Sequence, residues 1–373
     1  MTEAHFIPTT YSNTLNKGTI SCQSPSNIAL VKYWGKYGEQ MPQNASVSFT
    51  LNACHTKTTM KFEKKQNVSN FDFEVYLDGK RELGFEPKIL KFFERVEKYI
   101  PFLKSYSFKI ETTNSFPHSS GIASSASGMS ALAVCLVNLE TYLSGSELLK
   151  GELEIKLDTF SLSEKAVQKA SFLARLGSGS AARSIEGPLV VWGEHPQIKE
   201  SSNLFGTKYN GVVHPNFSNY QDTILLVDKG EKQVSSTVGH DLMHNHPYAA
   251  ERFKEADSNL SKLIAIFKSG DISAFIKIVE SEALQLHAMM MASQPYFILM
   301  KPNTLEIINR IWQYRNETKS NICFTLDAGA NVHILYPETE KAQVQKFIKV
   351  ELSQFCKNGE FIHDSVGMGA KSF

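Results

Sequence analysis

The sequence predicts an α+β protein of two lobes, on three observations. Alternating apolar and polar residues, the mark of half-buried strands, recur through the first 112 residues, whereas helix-period patterns dominate after residue 247. A polar and aromatic stretch, 193–220, separates the two regions and carries neither period. At 373 residues the chain is long enough to bury two cores, or one large core with a second lobe.

In order, residues 1–16 read as a loose arm, 17–205 as the first lobe and 206–373 as the second. Strands are expected near 18–23, 45–51, 56–62, 71–77 and 105–112, with Asp78-Gly79 as a turn between apolar flanks. Between them, 86–99 is amphipathic, with Ile89, Leu90, Phe93 and Val96 on one side, and predicts a helix. The Ser- and Gly-rich segment 114–128 leads into an apolar run, 129–143, expected as a buried helix. A helix over 161–175 ends at the turn GSGSAARS, before a strand over 188–192. After the 193–220 loop, strands are expected at 222–228, 321–327 and 331–336, and helices near 247–268, 272–291, 303–315 and 338–356. No internal repeat is present.

Composition removes several function classes. The formal net charge is +1, without the basic excess of a nucleic-acid binder, so any anion site is local. The cysteine count is five, which is odd, and no CxxC pair occurs; this argues against a disulfide framework or a zinc site and for a reducing cytosol. The N-terminus lacks the apolar core of a signal peptide. No run of about 18 apolar residues predicts a membrane span.

Four segments carry chemistry. The first is PHSSGIASSASG, 117–128, entering a helix. Small residues let backbone N–H groups approach an anion, and a helix N-terminus favours negative charge. Ser124, Ser125 and Ser127 add hydroxyls for phosphate or metal. The bland alternative is a Ser/Gly loop with an ordinary N-cap serine. The GK[ST] ending of a Walker A loop is absent. The second is NIALVKYWGK, 27–36, where Lys32 and Lys36 bracket Tyr33 and Trp34 and converge on a polyanion if the chain curls; otherwise they are solvated lysines at a strand end. The third is GSGSAAR, 177–183. It satisfies the dinucleotide fingerprint G-x-G-x-x-A but follows a helix rather than a strand, so a Rossmann reading is rejected. A small-residue turn followed by Arg183 suits a carboxylate or phosphate gripped by two parallel hydrogen bonds. The fourth is TLDAGAN, 325–331, where Asp327 ends a strand as a candidate base or as a turn-closing carboxylate.

Three further features read as decoys. His240, His244 and His246 lack a convincing further ligand for zinc. Met289, Met290 and Met291 read as core. The C-terminal GMGAKS lacks Gly-Lys adjacency and reads as a closing segment.

Together these segments resemble the GHMP kinase superfamily, and within it the mevalonate diphosphate decarboxylase family. NIALVKYWGK with PQNASVSFTL, 42–51, is similar to that family's N-terminal signature, and PHSSGIASSASG to its phosphate loop. GSGSAARS and TLDAGAN follow in the family's order, so the likeness spans about residues 20–370. The resemblance implies a ribosomal-protein-S5-like first lobe, a ferredoxin-like second lobe and an active-site cleft between them. It implies Asp327 as catalytic aspartate, with Lys32, Ser125 and Arg183 in the same machinery. Asn27, Tyr33, Trp34, Lys36, Ser178, Gly179, Ser180 and Arg183 would line the substrate pocket. Ser236 and Thr237 of VSST, 234–237, would add diphosphate contacts. Pro117, Ser119, Ser120, Gly121, Ala123, Ser124, Ser125 and Ser127 would cradle ATP, with Ser125 also on Mg²⁺. The family's usual loop is PTAAGLASSA, so His118, Ser119 and Ser120 make this entrance more polar. The basic residue that the resemblance implies after the third or fourth strand has no clear counterpart, and Lys88 is the candidate.

The implied reaction phosphorylates a tertiary hydroxyl with ATP and then releases phosphate and CO2. Asp327 would act as base, kept ionised by Lys32. The loop, Mg²⁺ and the lysines would neutralise phosphate charge. Competing expectations are a small-molecule kinase on the same fold, mevalonate 5-phosphate as substrate, and a non-catalytic nucleotide or anion binder. Family likeness also suggests a homodimer, with no nucleic-acid or membrane partner.

Overall fold

The computed structural model describes residues 1–67, 70–117, 122–145, 162–230 and 236–372. The first lobe is built on one long antiparallel pair, β1 (Lys17–Val31) and β4 (Ser46–Lys64), joined through a small ribbon of β2 (Lys36–Tyr37) and β3 (Met41–Pro42). There follow β5 (Asp72–Leu77), β6 (Lys80–Arg81), α1 (Glu86–Val96), β7 (Tyr106–Asn114), α2 (Ser124–Ser144), α3 (Glu164–Gly177), β8 (Leu189–Trp192) and β9 (Thr207–Lys208). The sheet runs β6-β5-β7-β4-β8-β9, and β1 covers the other edge of β4. All its pairs are antiparallel except β5 with β7.

Alternation sets which face is buried. Ile20, Cys22, Met60, Phe62, Phe108 and Ile110 all point to one side and pack with the apolar residues of α2 and α3. Because it is enclosed, α2 needs no polar stripe. It is apolar and long enough to cross a membrane, yet 83% of its apolar window lies inside the protein, as expected of a core helix.

The second lobe opens at β10 (Gln221–Leu225). It continues through α4 (Ser236–Asp241), α5 (Ala249–Ser269), α6 (Ile272–Ala292), α7 (Pro302–Thr318), β11 (Cys323–Thr325), β12 (Val332–Tyr336), α8 (Lys341–Phe347) and β13 (Phe361–Ser365). Its antiparallel sheet has the order β11-β12-β10-β13. One face carries Phe324, Ile334 and Tyr336 toward Ile307, Ile311, Val344 and Phe347 of α7 and α8. The other carries Ile224, Cys323 and Leu335 into a core shared with α5, α6 and the inward residues of β4.

Several expected elements change in extent. The strands read at 45–51 and 56–62 are one strand, β4, and the strand at 18–23 runs on to Val31, so the first half of the NIALVKYWGK segment is itself sheet. The helix expected over 338–356 breaks into 3-10, α and π turns. In the 193–220 stretch, only Thr207–Lys208 and a 3-10 turn at Pro215–Phe217 are regular. Neither α4 nor β13 is expected from the sequence. Met290 is core, as read, but Met291 is 42% exposed.

The chain's last turn ties the lobes together. Asp364 of β13 accepts the backbone N–H groups of Asn52 and Ala53 on Oδ1 and of Cys54 on Oδ2, at 2.7–2.8 Å. Residues 366–371 then run along the first lobe, with Gly367 donating to Thr50 O and Lys371 exchanging two bonds with Gln23. GMGAKS therefore closes the fold, as its composition suggests.

Candidate active site

Three segments far apart in sequence meet where the lobes face each other. Lys32 leaves the end of β1, Asp327 follows β11, and Arg183 lies in the 3-10 turn Gly179–Ser184 after α3. Lys32 Nζ stands 3.0 Å from Asp327 Oδ1. Burial pulls the Lys32 ammonium below its ordinary value; Asp327, and behind it Glu282, pull it back, while Arg183 pushes it further down. The Arg183 guanidinium is likewise buried, which lowers it to about 10 against the raising fields of Asp327 and Tyr33, so it stays charged at neutral pH. It donates Nε to Ser48 Oγ and Nη1 to Ser46 Oγ, both at 2.6 Å. The two serines alternate with apolar Val47 and Phe49, so β4 turns a hydroxyl face toward the arginine and an apolar face toward the core.

Asp327 is held by its backbone as well. Its carbonyl accepts the Gly329 N–H at 2.7 Å and His287 Nε2 at 3.2 Å. A carbonyl only accepts, so Nε2 carries the imidazole proton. Lys32 has its own anchor, because its backbone N–H donates to Glu282 Oε2 at 2.8 Å. Glu282 is completely buried and also takes Arg252 and Asn259. Asn44 Nδ2 donates to the Lys32 carbonyl at 3.0 Å.

The other expected substrate contacts divide into two groups. Tyr33 rests on Trp192, with ring centroids 4.6 Å apart, and Lys36 keeps a mostly buried side chain directed at Asp241. Ser178, Gly179 and Ser180 form the turn leading to Arg183. By contrast, Asn27 is spent on scaffold: its Nδ2 bonds Ser180 O and Ser184 Oγ, pinning that turn to β1. Trp34 is packed into an apolar cluster with Met243, Leu286 and Met290.

Gly179 shows why the GSGSA turn needs its glycine. A Cβ there would meet the Tyr33 hydroxyl at 2.7 Å and the Trp192 ring at 2.9 Å. Gly179→Ala is therefore expected to push Tyr33 out of place, at a cost of about 1–3 kcal/mol in stability and at least about tenfold in kcat/KM. Thermal melts and steady-state kinetics check this; a variant unchanged in both would refute the packing argument.

On the nucleotide side, Ala123 adopts a left-handed backbone (φ 45°) just before α2, and Ser124 and Ser125 begin the helix. Ser125 is exposed and accepts Lys88 Nζ at 3.0 Å, which brings the basic residue on α1 to the loop. The exposed Ser125 hydroxyl, the half-buried Ser124, an ammonium group and the N-terminus of a 21-residue helix suit a phosphate chain with its divalent cation. Ser127 departs from expectation. Its hydroxyl is buried and bonded to Thr56 Oγ1 at 2.6 Å, because it lies one turn inside the helix on the face toward β4. Pro117 is half-buried at the end of the described strand side of the loop. Ser119, Ser120 and Gly121, with His118, lie outside the described residues, as do Val234 and Ser235. Ser236 and Thr237 open α4.

Two of the histidines read as decoys have structural partners. His240 Nδ1 accepts the Gly35 N–H at 2.9 Å, and its ring lies against Tyr33 and Trp34. His246 bonds the Met289 carbonyl at 3.0 Å through Nε2 and accepts the Tyr248 N–H through Nδ1. Among the described residues, no group of three or more His, Cys, Asp or Glu is placed to hold a metal ion. Burial, first, with Lys36 and Arg183 adding to it, pushes His240 down to about 3. Burial also pushes His287 down to about 4, with Lys32 adding to the shift and Asp327 opposing it.

Both rings are thus held neutral in the folded state, whereas in the unfolded chain they protonate near pH 6.5. Their contribution is complete above pH 6.5 and is lost as pH falls toward 4, at up to about 1.4 kcal/mol per pH unit for each ring. The melting temperature is expected to fall between pH 7 and pH 5, and His287→Gln to flatten part of that slope. A melting temperature constant over this range would sink the assignment.

Comparison with known proteins gives the same picture over nearly the whole chain. Residues 24–203 match the model of a diphosphomevalonate decarboxylase-like N-terminal domain, and residues 223–369 that of a mevalonate 5-diphosphate decarboxylase C-terminal domain. Diphosphomevalonate decarboxylase of Ganoderma lucidum is 28% identical over 346 residues, 88% of this chain and 80% of that protein. The Danio rerio enzyme is 27% identical over 334 residues, 84% of this chain and 75% of its own. Among solved structures, one described as MDDEF in complex with MVAPP, AMPPCP and magnesium superposes with a TM-score of 0.77 at 27% identity, covering 96% of this chain and 99% of that one. Mevalonate diphosphate decarboxylase from Staphylococcus aureus gives 0.77 at 25% identity, covering 96% and 98%. The two family models follow one another along the chain and the solved structures share its fold over nearly its whole length, and the chain is a member of the mevalonate diphosphate decarboxylase family.

Proposed function

We propose that this protein is an ATP-dependent carboxy-lyase that converts (R)-mevalonate 5-diphosphate to isopentenyl diphosphate, with release of ADP, phosphate and CO2. The observation that carries the reading is the Lys32–Asp327 pair at 3.0 Å, closing across the two lobes beside a buried Arg183. A carboxylate flanked by two cations suits a substrate with an anion at each end and a hydroxyl between.

Asp327 orients the tertiary 3-hydroxyl and takes its proton, while the 3-oxygen bonds the γ-phosphorus of ATP and the bond to the β-phosphate oxygen breaks. The C3–O bond then breaks, and inorganic phosphate leaves with its electron pair. Electrons of the bond to the carboxylate carbon become the new C=C bond, and CO2 departs. Arg183 and Ser180 hold the carboxylate beforehand. Lys36, Tyr33 and Ser178, with Ser236 and Thr237, hold the distal diphosphate, so that binding energy far from the reacting carbon fixes its position. Ser124, Ser125 and Lys88 hold the ATP phosphates, and Ser125 would also hold Mg²⁺, which would supply neutralisation of their charge. All five cysteines are free and buried, which agrees with a cytosolic location, and the family likeness supports a homodimer.

The test is to incubate the protein with ATP, Mg²⁺ and each mevalonate phosphate in turn and to measure ADP and CO2 together. Equal yields with the diphosphate are expected. ADP without CO2 would identify a kinase, and neither product would identify a non-catalytic binder.

A further inference from the structure

Helix α4 meets the 33–36 turn with three consecutive residues. Gly239 comes so close to Trp34 that a Cβ would lie 2.5 Å from the indole Cη2. His240 lays its ring 4.3 Å from the Tyr33 centroid and 4.6 Å from that of Trp34, and accepts the Gly35 N–H. Asp241 then places Oδ1 3.6 Å from Lys36 Nζ. The first two contacts are buried and leave α4 little freedom, so they fix where the third residue stands.

The two partners of that ion pair are unequal. The Lys36 side chain is 14% exposed, whereas that of Asp241 is 55% exposed. The lysine is built into the site and the carboxylate reaches it from the rim. Lys36 also belongs to a cationic corner, since its charge and that of Arg183 both act on His240. A corner with excess positive charge attracts any small anion.

We propose that Asp241 is a specificity-determining residue: in the substrate-free enzyme its carboxylate engages Lys36 as a stand-in anion that the substrate's diphosphate end must displace. This rests on the reading of Lys36 as a diphosphate ligand. Exchanging one monoanion for another at Lys36 gains nothing, so carboxylates and similar ions compete poorly. A diphosphate brings more charge and more acceptor oxygens, and displaces Asp241, which swings into solvent where its repulsion is screened. Because the pair lies at the rim, displacement costs a few-fold in affinity rather than orders of magnitude.

A double-mutant cycle over Asp241 and Lys36 tests this with mevalonate 5-diphosphate as the probe. Asp241→Asn is expected to lower KM about two- to five-fold with kcat and melting temperature unchanged. Lys36→Met is expected to raise KM, and Asp241→Asn added to it to change KM no further. If Lys36→Met leaves KM unchanged, the reading of Lys36 fails. If Lys36→Met raises KM but Asp241→Asn alone does not lower it, the stand-in role is overturned and the ligand assignment survives. An equal drop in KM in both backgrounds would mean that Asp241 acts on the ligand directly, which also overturns the proposal.

Discussion

Asp327→Asn is expected to give a folded protein that still binds both substrates but turns over at least about a thousand-fold more slowly. The asparagine side chain keeps an oxygen where Oδ1 accepts from Lys32 at 3.0 Å, so the ammonium retains a hydrogen-bond partner. The bonds from the Gly329 N–H and the His287 Nε2 to the Asp327 carbonyl do not depend on the Asp327 side chain. What is lost is a group able to take the hydroxyl proton in the transition state, an interaction that affects kcat and leaves KM within a few-fold. Asp327→Ala removes the oxygen too and leaves Lys32, 2% exposed at its side chain, without that partner. It is expected to lose the same activity and, in addition, about 3–5 kcal/mol of stability. Single-turnover kinetics and thermal melts on the two variants separate the chemical loss from the structural one. More than a tenth of wild-type kcat in Asp327→Asn would exclude this carboxylate as the base.

How much of this was legible in the sequence follows from how local each signal is. Lys32, Arg183 and Asp327 each stand in a short motif, and those motifs resemble a family as they stand. The α2 and α6 helices announce themselves by length and apolar content. Strand β4 was read as two because Asn52–Cys54 interrupts its pattern. In the structure those three amides are satisfied by Asp364, more than three hundred residues away, and no local property of either segment reveals the pairing. For the same reason β13 went unread: its polar Asp364 looks misplaced in a strand until its partners are known. Helix α4 is six residues long, too short for a period to emerge. His240 looks like part of a histidine cluster, because spacing suggests shared ligation, whereas the fold gives the rings of His240 and His246 separate backbone partners. Ser46 and Ser48 were within reach of sequence reasoning, since alternating hydroxyls inside an apolar strand mark a face that must find polar partners.

Glu282 left little trace in the sequence, as one of two glutamates in a largely apolar helix, yet its replacement is expected to be among the most destabilising. Its carboxylate accepts four donors: the Lys32 backbone N–H and Arg252 Nη2 on Oε2, and Arg252 Nη1 and Asn259 Nδ2 on Oε1. The side chains of Glu282 and Arg252 are 0% and 2% exposed. A buried ion pair is not strongly stabilising in itself, because desolvation offsets its attraction; removing one partner, however, strands the other charge in the interior. Glu282→Leu is therefore expected to destabilise by about 3–5 kcal/mol, and Arg252→Met added to it to recover much of that loss. Activity should not recover with stability. The lost bond to the Lys32 N–H frees the end of β1 from α6, and Lys32 loses its fixed approach to Asp327. The double variant should melt near the wild type while kcat stays at least about tenfold down. A double variant restored in both would make Glu282 a packing residue only; one restored in neither would place the damage in the fold rather than in the aim of Lys32.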